Sequence, residues 1–594
     1  MHRLPFTFLA ASLALSSVSH AQPAIPQDLP AQAGAAAVLP DLIRRYTEDE
    51  NYITRFSRME YSEERWTRLE SFYNEWLARL DALEYAALSP ADRIDFHLMR
   101  THAQWSLDGL ALERRRLEGI TQVLPFRAQV QALELARFRM EPCDPAAAAT
   151  TLADIGAQTK KILERVKNAK KKEDERGPDA ITLTPIAAKR AASAIDGLTS
   201  TLDTWSRAYD EFVPEFGWWT RKPREETQQH LRDLAKHLRE EVAGLKGKDE
   251  DPLVGDPIGR EGLLADIRGE MLAYTPEELI AIGERELAWC ESEVQKAAKE
   301  LGFNDWKLAL AKVKDAHVPP GDQAAYVRDE SRAIIKFLRD RDLITIPTLC
   351  EESWRLEMHS PQTQKTLPYA VYGGQYMGVS YAAESMSHAD KLMSMRGNNK
   401  HFTHIVTPHE LIPGHHLQGF FAARERAYRR TFSTPFLVEG WALYWEFRLW
   451  ELNWAGATGN DANMDRIGML FWRMHRAARI IVSLKFHLND MAPQQMIDFL
   501  VDRVGHEKSG ATAEVRRYIG GDYSPLYQCA YMLGGIQLHA LYKDLVGSGA
   551  MSDKQFNDGV MRENSMPIEL IRAALRAESL PKDWTPAWRF TESD

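Results

Sequence analysis

The sequence predicts a mainly α-helical protein, one large multi-helix body with a small β-sheet placed just ahead of a metal-binding helix. Three observations predict it. From about 40 to 340 the chain is rich in Ala, Leu, Glu and Arg, and its apolar residues recur at helical spacing, as in Trp66, Leu69, Phe72, Tyr73, Trp76 and Leu80. Between 342 and 385 the texture changes to short β-rich runs separated by turn residues. After Glu439 helical spacing returns. Length alone would suggest several domains, but no low-complexity linker divides the chain, so residues 41–590 are read as a single large domain.

Residues 1–21 carry Arg3, an apolar run through Leu15, and Ser19-His20-Ala21, a small-x-small cleavage signal. This predicts a secretory signal cut after Ala21 and a periplasmic or secreted product. The apolar run falls short of the roughly 20 residues needed to span a bilayer, and no Cys follows it to carry a lipid, so no stable membrane anchor is expected. Residues 22–40 are expected to form a flexible N-terminal segment.

Helix starts then recur. Ser89-Pro90-Ala91-Asp92 and Thr275-Pro276-Glu277-Glu278 each offer a cap, a proline at the first helical position and early acidic charge. The charged run at 170–178 reads as a solvated helix end and turn, and residues 246–257 as a loop. Three short strands are expected at Leu343-Ile344-Thr345-Ile346-Pro347, Ser353-Trp354-Arg355-Leu356-Glu357-Met358 and Tyr376-Met377-Gly378-Val379-Ser380-Tyr381. A sheet edge in this place could hold an extended peptide by strand addition, or the ribbon could simply be buried. A further helix start is read at Ala492-Pro493-Gln494-Gln495.

Loss of the signal segment, with its single Arg, takes the formal charge from −10 to −11 and argues against nucleic acid as a partner. The four cysteines, Cys143, Cys290, Cys350 and Cys529, are far apart and lack zinc-finger spacing; lone buried thiols are the expectation.

The chemistry is concentrated in His409-Glu410-Leu411-Ile412-Pro413-Gly414-His415-His416 and, 24 residues after His415, in Glu439. A hydrolytic zinc needs about three protein ligands, one open position, and a carboxylate beside it to take a proton from water. The usual pattern sets two His one helical turn apart, but here the i+4 position from His409 is Pro413. Two extra residues turn His415 by about 200° on an ideal helix, so only a distorted backbone returns it to the metal. His416 lies nearer in angle but about 10 Å along the axis, and stays as the alternative ligand or a neighbour of the site. Chance proximity of histidines in a helical core is the structural alternative to a metal site.

These pieces, HELIPGHHLQ at 409–418, EGWALYWE at 439–446, RAARIIVSLKFH at 476–487 and PLYQCAYMLG at 525–534, resemble domain-of-unknown-function family 885 (DUF885), placed among the gluzincin-type metallopeptidases. The resemblance runs from about 40 to 580. It implies a zincin-like body, one Zn2+ held by His409, His415 and Glu439, Glu410 as general base, and hydrolysis of peptides. The chain departs from the family pattern at Ser483-Leu484-Lys485 and at Tyr527.

On this reading Glu410 passes its proton to the leaving amine, and Tyr531 is the candidate second donor to the oxyanion. Arg476, Arg479 and His487 are candidates for contact with a substrate carboxylate or oxyanion, against the commoner solvated or ion-paired role of a helical Arg, and Tyr381 is a further candidate for substrate binding. A zinc amidase or esterase on a small non-peptide substrate shares this first shell. A catalytically inactive metal-binding scaffold is the reading from a different class, although it has no need of Glu410 beside His409.

Overall fold

A computed structural model describes residues 38–172, 177–248, 251–364, 367–456, 459–521 and 523–591. The signal segment and residues 22–37 lie outside the described residues.

The N-terminal half is built of long amphipathic helices whose beginnings follow from their first residues. Ser89 accepts from the Asp92 N–H to start Pro90–Glu118, and Thr275 with Glu278 forms a reciprocal capping box at the head of Pro276–Glu300. Trp66, Leu69, Phe72, Tyr73, Trp76 and Leu80 share the buried face of Glu63–Asp81. Burial of large side chains of this kind is worth about 1.5–3 kcal/mol each relative to exposure. Pro493 begins the short helix expected there, and residues 246–248 and 251–257 carry no helix or strand.

The most extensively packed helix pairs are Pro435–Glu451 against Tyr527–Leu545, within the C-terminal half, and Asn460–His487 against Pro276–Glu300, which joins the two halves. The first pair meets backbone to backbone. A Cβ on Gly440 would lie 2.6 Å from the Gly534 Cα, and one on Gly534 would lie 1.9 Å from the Phe436 carbonyl oxygen. Only glycines permit that approach, and it sets Glu439 beside the face that carries Tyr527 and Tyr531.

The sheet has three strands, β1 (Arg355–Met358), β2 (Val371–Tyr372) and β3 (Tyr376–Val379), in the order β1-β3-β2. β1 runs parallel to β3, with Arg355 opposite Tyr376, and β2 antiparallel, with Val371 opposite Gly378. The strand expected at 343–347 does not form. The Thr345 N–H (2.9 Å) and Oγ1 (2.7 Å) both donate to the Asp558 carboxylate, so the amide a ladder would use is taken, and Pro347 then leads into the helix Thr348–Ser353. The third strand is instead β2, where no strand was expected. The cysteines are unpaired, and Cys290, Cys350 and Cys529 are buried.

Candidate metal centre

The helix Lys400–Glu410 ends one residue after His409, and a second helix, His415–Ala422, begins at His415. The residues between them, which include a cis Ile412–Pro413 peptide, return the chain so that the two His rings meet, with centroids 4.9 Å apart and planes at 89°. Backbone bonds stitch the break: Gly414 N–H to the Pro408 carbonyl (2.9 Å) and His416 N–H to the Leu411 carbonyl (3.0 Å). Trp441 Nε1–H donates to the Pro413 carbonyl at 2.8 Å and ties the turn to the Glu439 helix. The insertion is thus absorbed by ending one helix and starting another.

Gly414 is fixed by space. A Cβ there would fall 1.8 Å from the His409 carbonyl oxygen and 2.6 Å from that of Pro408. Gly414→Ala is therefore expected to cost about 1–3 kcal/mol of stability and to weaken zinc binding roughly 10- to 100-fold, as displacement of a ligand's support does. Chemical denaturation and zinc titration check this, and wild-type values in both would contradict the role given to the turn.

His415 Nε2 lies 3.2 Å and His409 Nε2 3.9 Å from Glu439 Oε2, and a ligand atom from each of the three residues falls within 4.8 Å of the others. Metal–ligand distances of about 2.0–2.2 Å in a tetrahedral site imply ligand separations of roughly 3.4 Å, so the set fits a zinc ion. His409 Nδ1 is held by Glu446 Oε1 at 2.7 Å, which fixes the ring and leaves Nε2 to face the other two residues. Glu439 Oε1 accepts from the Tyr527 hydroxyl at 2.5 Å, leaving Oε2 for the same point.

In the chain alone this centre behaves as an ion pair. Burial acts to lower His415, but the Glu439 charge and hydrogen bond overcome it and hold the imidazole at about 8. Burial acts to raise Glu439, and His415 and His409 overcome that and hold its carboxyl well below the ordinary range. A divalent cation would take the place of that proton, since ligand histidines must be neutral. Glu410 is raised by burial first, with His409 and His415 working against it and the Glu439 charge adding to it. Tyr531 is pushed up to about 12 by burial and by Glu439, and so stays a neutral donor.

All five residues line one cavity of about 410 Å³. Trp472, His475, Arg476 and Arg479 reach it from Asn460–His487 at i, i+3, i+4 and i+7, one face of a helix.

The other candidates separate. His416 turns away: its Nε2 meets the Cys350 carbonyl at 2.8 Å and its Nδ1 the Tyr372 hydroxyl at 3.1 Å, so neither nitrogen is left for a metal. Arg479 lines the cavity but is held by Tyr518 (2.9 Å) and Glu514 (3.0 Å). His487 is not at the site. It lies 11 residues past Arg476, about 16 Å along an ideal helix, where its Nδ1 accepts from the Ile258 N–H at 3.4 Å. Tyr381 is also elsewhere, its hydroxyl donating to the Val318 carbonyl at 2.5 Å in a small apolar cluster with Met395. Glu446, Tyr527 and Tyr372 are the site residues that sequence reasoning missed. Only Glu446 had a usable signal, its place two helical turns after Glu439.

The family model described as "Bacterial protein of unknown function (DUF885)" matches residues 54–575. The chain belongs to the DUF885 family. No curated protein matches it in sequence. Among solved structures, a candidate lipoprotein of unknown function from Shewanella oneidensis is similar, with a TM-score of 0.64 at 17% identity, over 91% of this chain and all (100%) of that one. A candidate lipoprotein from Colwellia psychrerythraea is similar too, with a TM-score of 0.55 at 15% identity over 91% and 98%. At these identities the likeness is one of fold, and this DUF885 chain shares its architecture with both.

Behind the centre, Thr434 caps the Glu439 helix by accepting from the Phe436 N–H (3.1 Å) and donates to buried Glu270. Burial pushes the Glu270 carboxyl up to about 8, with the Thr434 bond acting against it and the Asp266 charge adding to it. The folded chain thus keeps a proton there that the unfolded chain releases near 4.5, so this contribution to stability is full below about 4.5 and is lost as pH rises toward 8. Relative to Glu270→Gln, wild-type stability should fall from pH 5 to 8 by a few kcal/mol, on the order of the free energy such a displacement carries. Parallel melting curves across that range would contradict it.

Proposed function

We propose that this chain is an exported zinc-dependent peptidase of the gluzincin type, with His409, His415 and Glu439 as ligands of one zinc ion. The observation that carries the reading is the convergence of those three side chains in a cavity that also holds Glu410 and Tyr531. A bound zinc supplies a Lewis acid for the scissile carbonyl and lowers the pKa of water at the site.

The chain's own residues do the rest. Glu410, raised by its burial, accepts a proton from the attacking water and delivers it to the leaving amine. Tyr531, neutral and on the cavity wall, donates to the carbonyl oxygen as charge develops there. Glu446 orients His409, and Tyr527 orients Glu439. β2 is an edge strand that gives Val371 and Tyr372 to the cavity wall, which suits an extended peptide backbone adding to the sheet. The N-terminal signal pattern and the description of both similar structures as candidate lipoproteins support a place in the cell envelope.

The test is to incubate zinc-loaded protein with a defined peptide mixture and identify the products by mass spectrometry. Cleavage that stops on chelation is expected. Intact peptides throughout would overturn the reading.

A further inference from the structure

Guanidinium donors on this cavity's wall are left without partners among the described residues. Three arginines line it beyond the metal centre, Arg476, Arg479 and Arg517. Arg479 has Glu514 as a partner at 3.0 Å. Arg476, only 5% exposed, reaches Glu446 Oε1 through Nη2 at 3.1 Å, but that same oxygen already holds His409. The Nε and Nη1 of Arg476 are buried without a hydrogen-bond partner among the described residues, and so is the Nε of Arg517. The neighbouring histidines do not answer them either. His475 and His506 are bonded to each other at 2.8 Å, and burial lowers both, so neither adds a charge or a carboxylate to the wall.

A buried guanidinium with unused donors is costly unless something pairs with it. Arg476 is also rigid: it sits on a long helix and stacks on Trp472 with its Cζ 4.8 Å from the ring centre. A planar fork held in this way matches the two oxygens of a carboxylate. Glu446 joins it to ligand His409, so a carboxylate gripped there is held at a set distance from the centre that reacts.

We infer that Arg476, seconded by Arg517, forms an anion subsite that anchors a carboxylate of the substrate. The inference rests on the peptidase reading for the identity of the substrate as a peptide, but not for the subsite itself. Two sources carry this chemistry, the free C-terminus of a peptide and an Asp or Glu side chain.

Binding tests it without turnover. Protein carrying Glu410→Gln, with its zinc content measured, is titrated calorimetrically with Ala-Ala-Ala, with its C-terminal amide, and with Ala-Ala-Glu amide. The free acid should bind about 10- to 100-fold tighter than the plain amide, as charge-assisted hydrogen bonds imply. Adding Arg476→Gln should erase the preference, and Arg517→Gln should reduce it by a smaller factor. Arg476→Lys, which keeps the charge and loses the fork, covers the case in which the Gln variant fails to fold; it should keep only part of the preference. If the Glu-bearing amide binds as tightly as the acid, the subsite takes either carboxylate; if it binds like the plain amide, the subsite takes the terminus alone; if it alone binds tighter than the plain amide, the subsite takes a side chain. Equal binding of all three ligands, or a preference untouched by both Arg476 and Arg517 variants, overturns the subsite. A full preference in a protein whose wild type cleaves no peptide retains the subsite and removes the peptidase reading.

Discussion

Glu410→Gln should retain zinc and fold yet lose most peptide hydrolysis, by about 10² to 10⁴, the usual contribution of a general base. The amide preserves the shape of the side chain, and Glu410 supplies no ligand atom to the cluster of His409, His415 and Glu439. What it loses is the ability to accept a proton. Tyr531→Phe should cost less, because a bound zinc would share the oxyanion charge and one aligned donor is worth on the order of 3 kcal/mol. Turnover of one cleaved peptide at saturating concentration, after equal metal content has been confirmed, separates the two. Near wild-type turnover by Glu410→Gln would remove the proposed role of the carboxylate.

Much of this site was legible because its parts are close in sequence and chemically unusual. His409, Glu410 and His415 lie within seven residues, and a broken helix was required by arithmetic alone, since a regular one places His415 on the wrong face. The helical stripes were equally plain, since Trp66 to Leu80 repeat one buried face. What the sequence could not carry was long-range. Glu446 looks like any helical Glu until His409 Nδ1 arrives from 37 residues away, and Tyr527 holds Glu439 from 88 residues away.

The misreadings have the same origin. Thr345 sits in a β-rich run, but Asp558, 213 residues on, takes its hydrogen bonds. His487 and Arg476 belong to one quoted motif and to one helix, yet three turns of that helix separate them, so only Arg476 reaches the cavity. Periodicity gives the face of a helix, and it does not give the end of the helix at which a pocket lies. Gly440 and Gly534 show the reverse case, in which unremarkable residues in two quoted motifs decide how closely two helices approach.

The choice between adjacent histidines gives the sharpest test of the centre. His415→Ala should weaken zinc binding by more than the roughly 10- to 100-fold typical of changes behind the ligands, because it deletes a donor atom 3.2 Å from Glu439 Oε2 and leaves that oxygen of the buried carboxylate without its nearer histidine. His416→Ala should lower zinc affinity by no more than about tenfold, at the mild end of such changes. Its ring faces the Cys350 carbonyl and the Tyr372 hydroxyl, so its loss loosens packing behind the second helix without emptying a ligand position. His409→Ala and Glu439→Ala should behave as His415→Ala does. The measurement is competition for zinc against a chelator of known affinity, with melting curves to exclude unfolding. An inverted order, with His416→Ala losing the metal and His415→Ala keeping it, would move the second ligand one residue along the chain and require the turn at Leu411 to Gly414 to fold differently from the geometry described above.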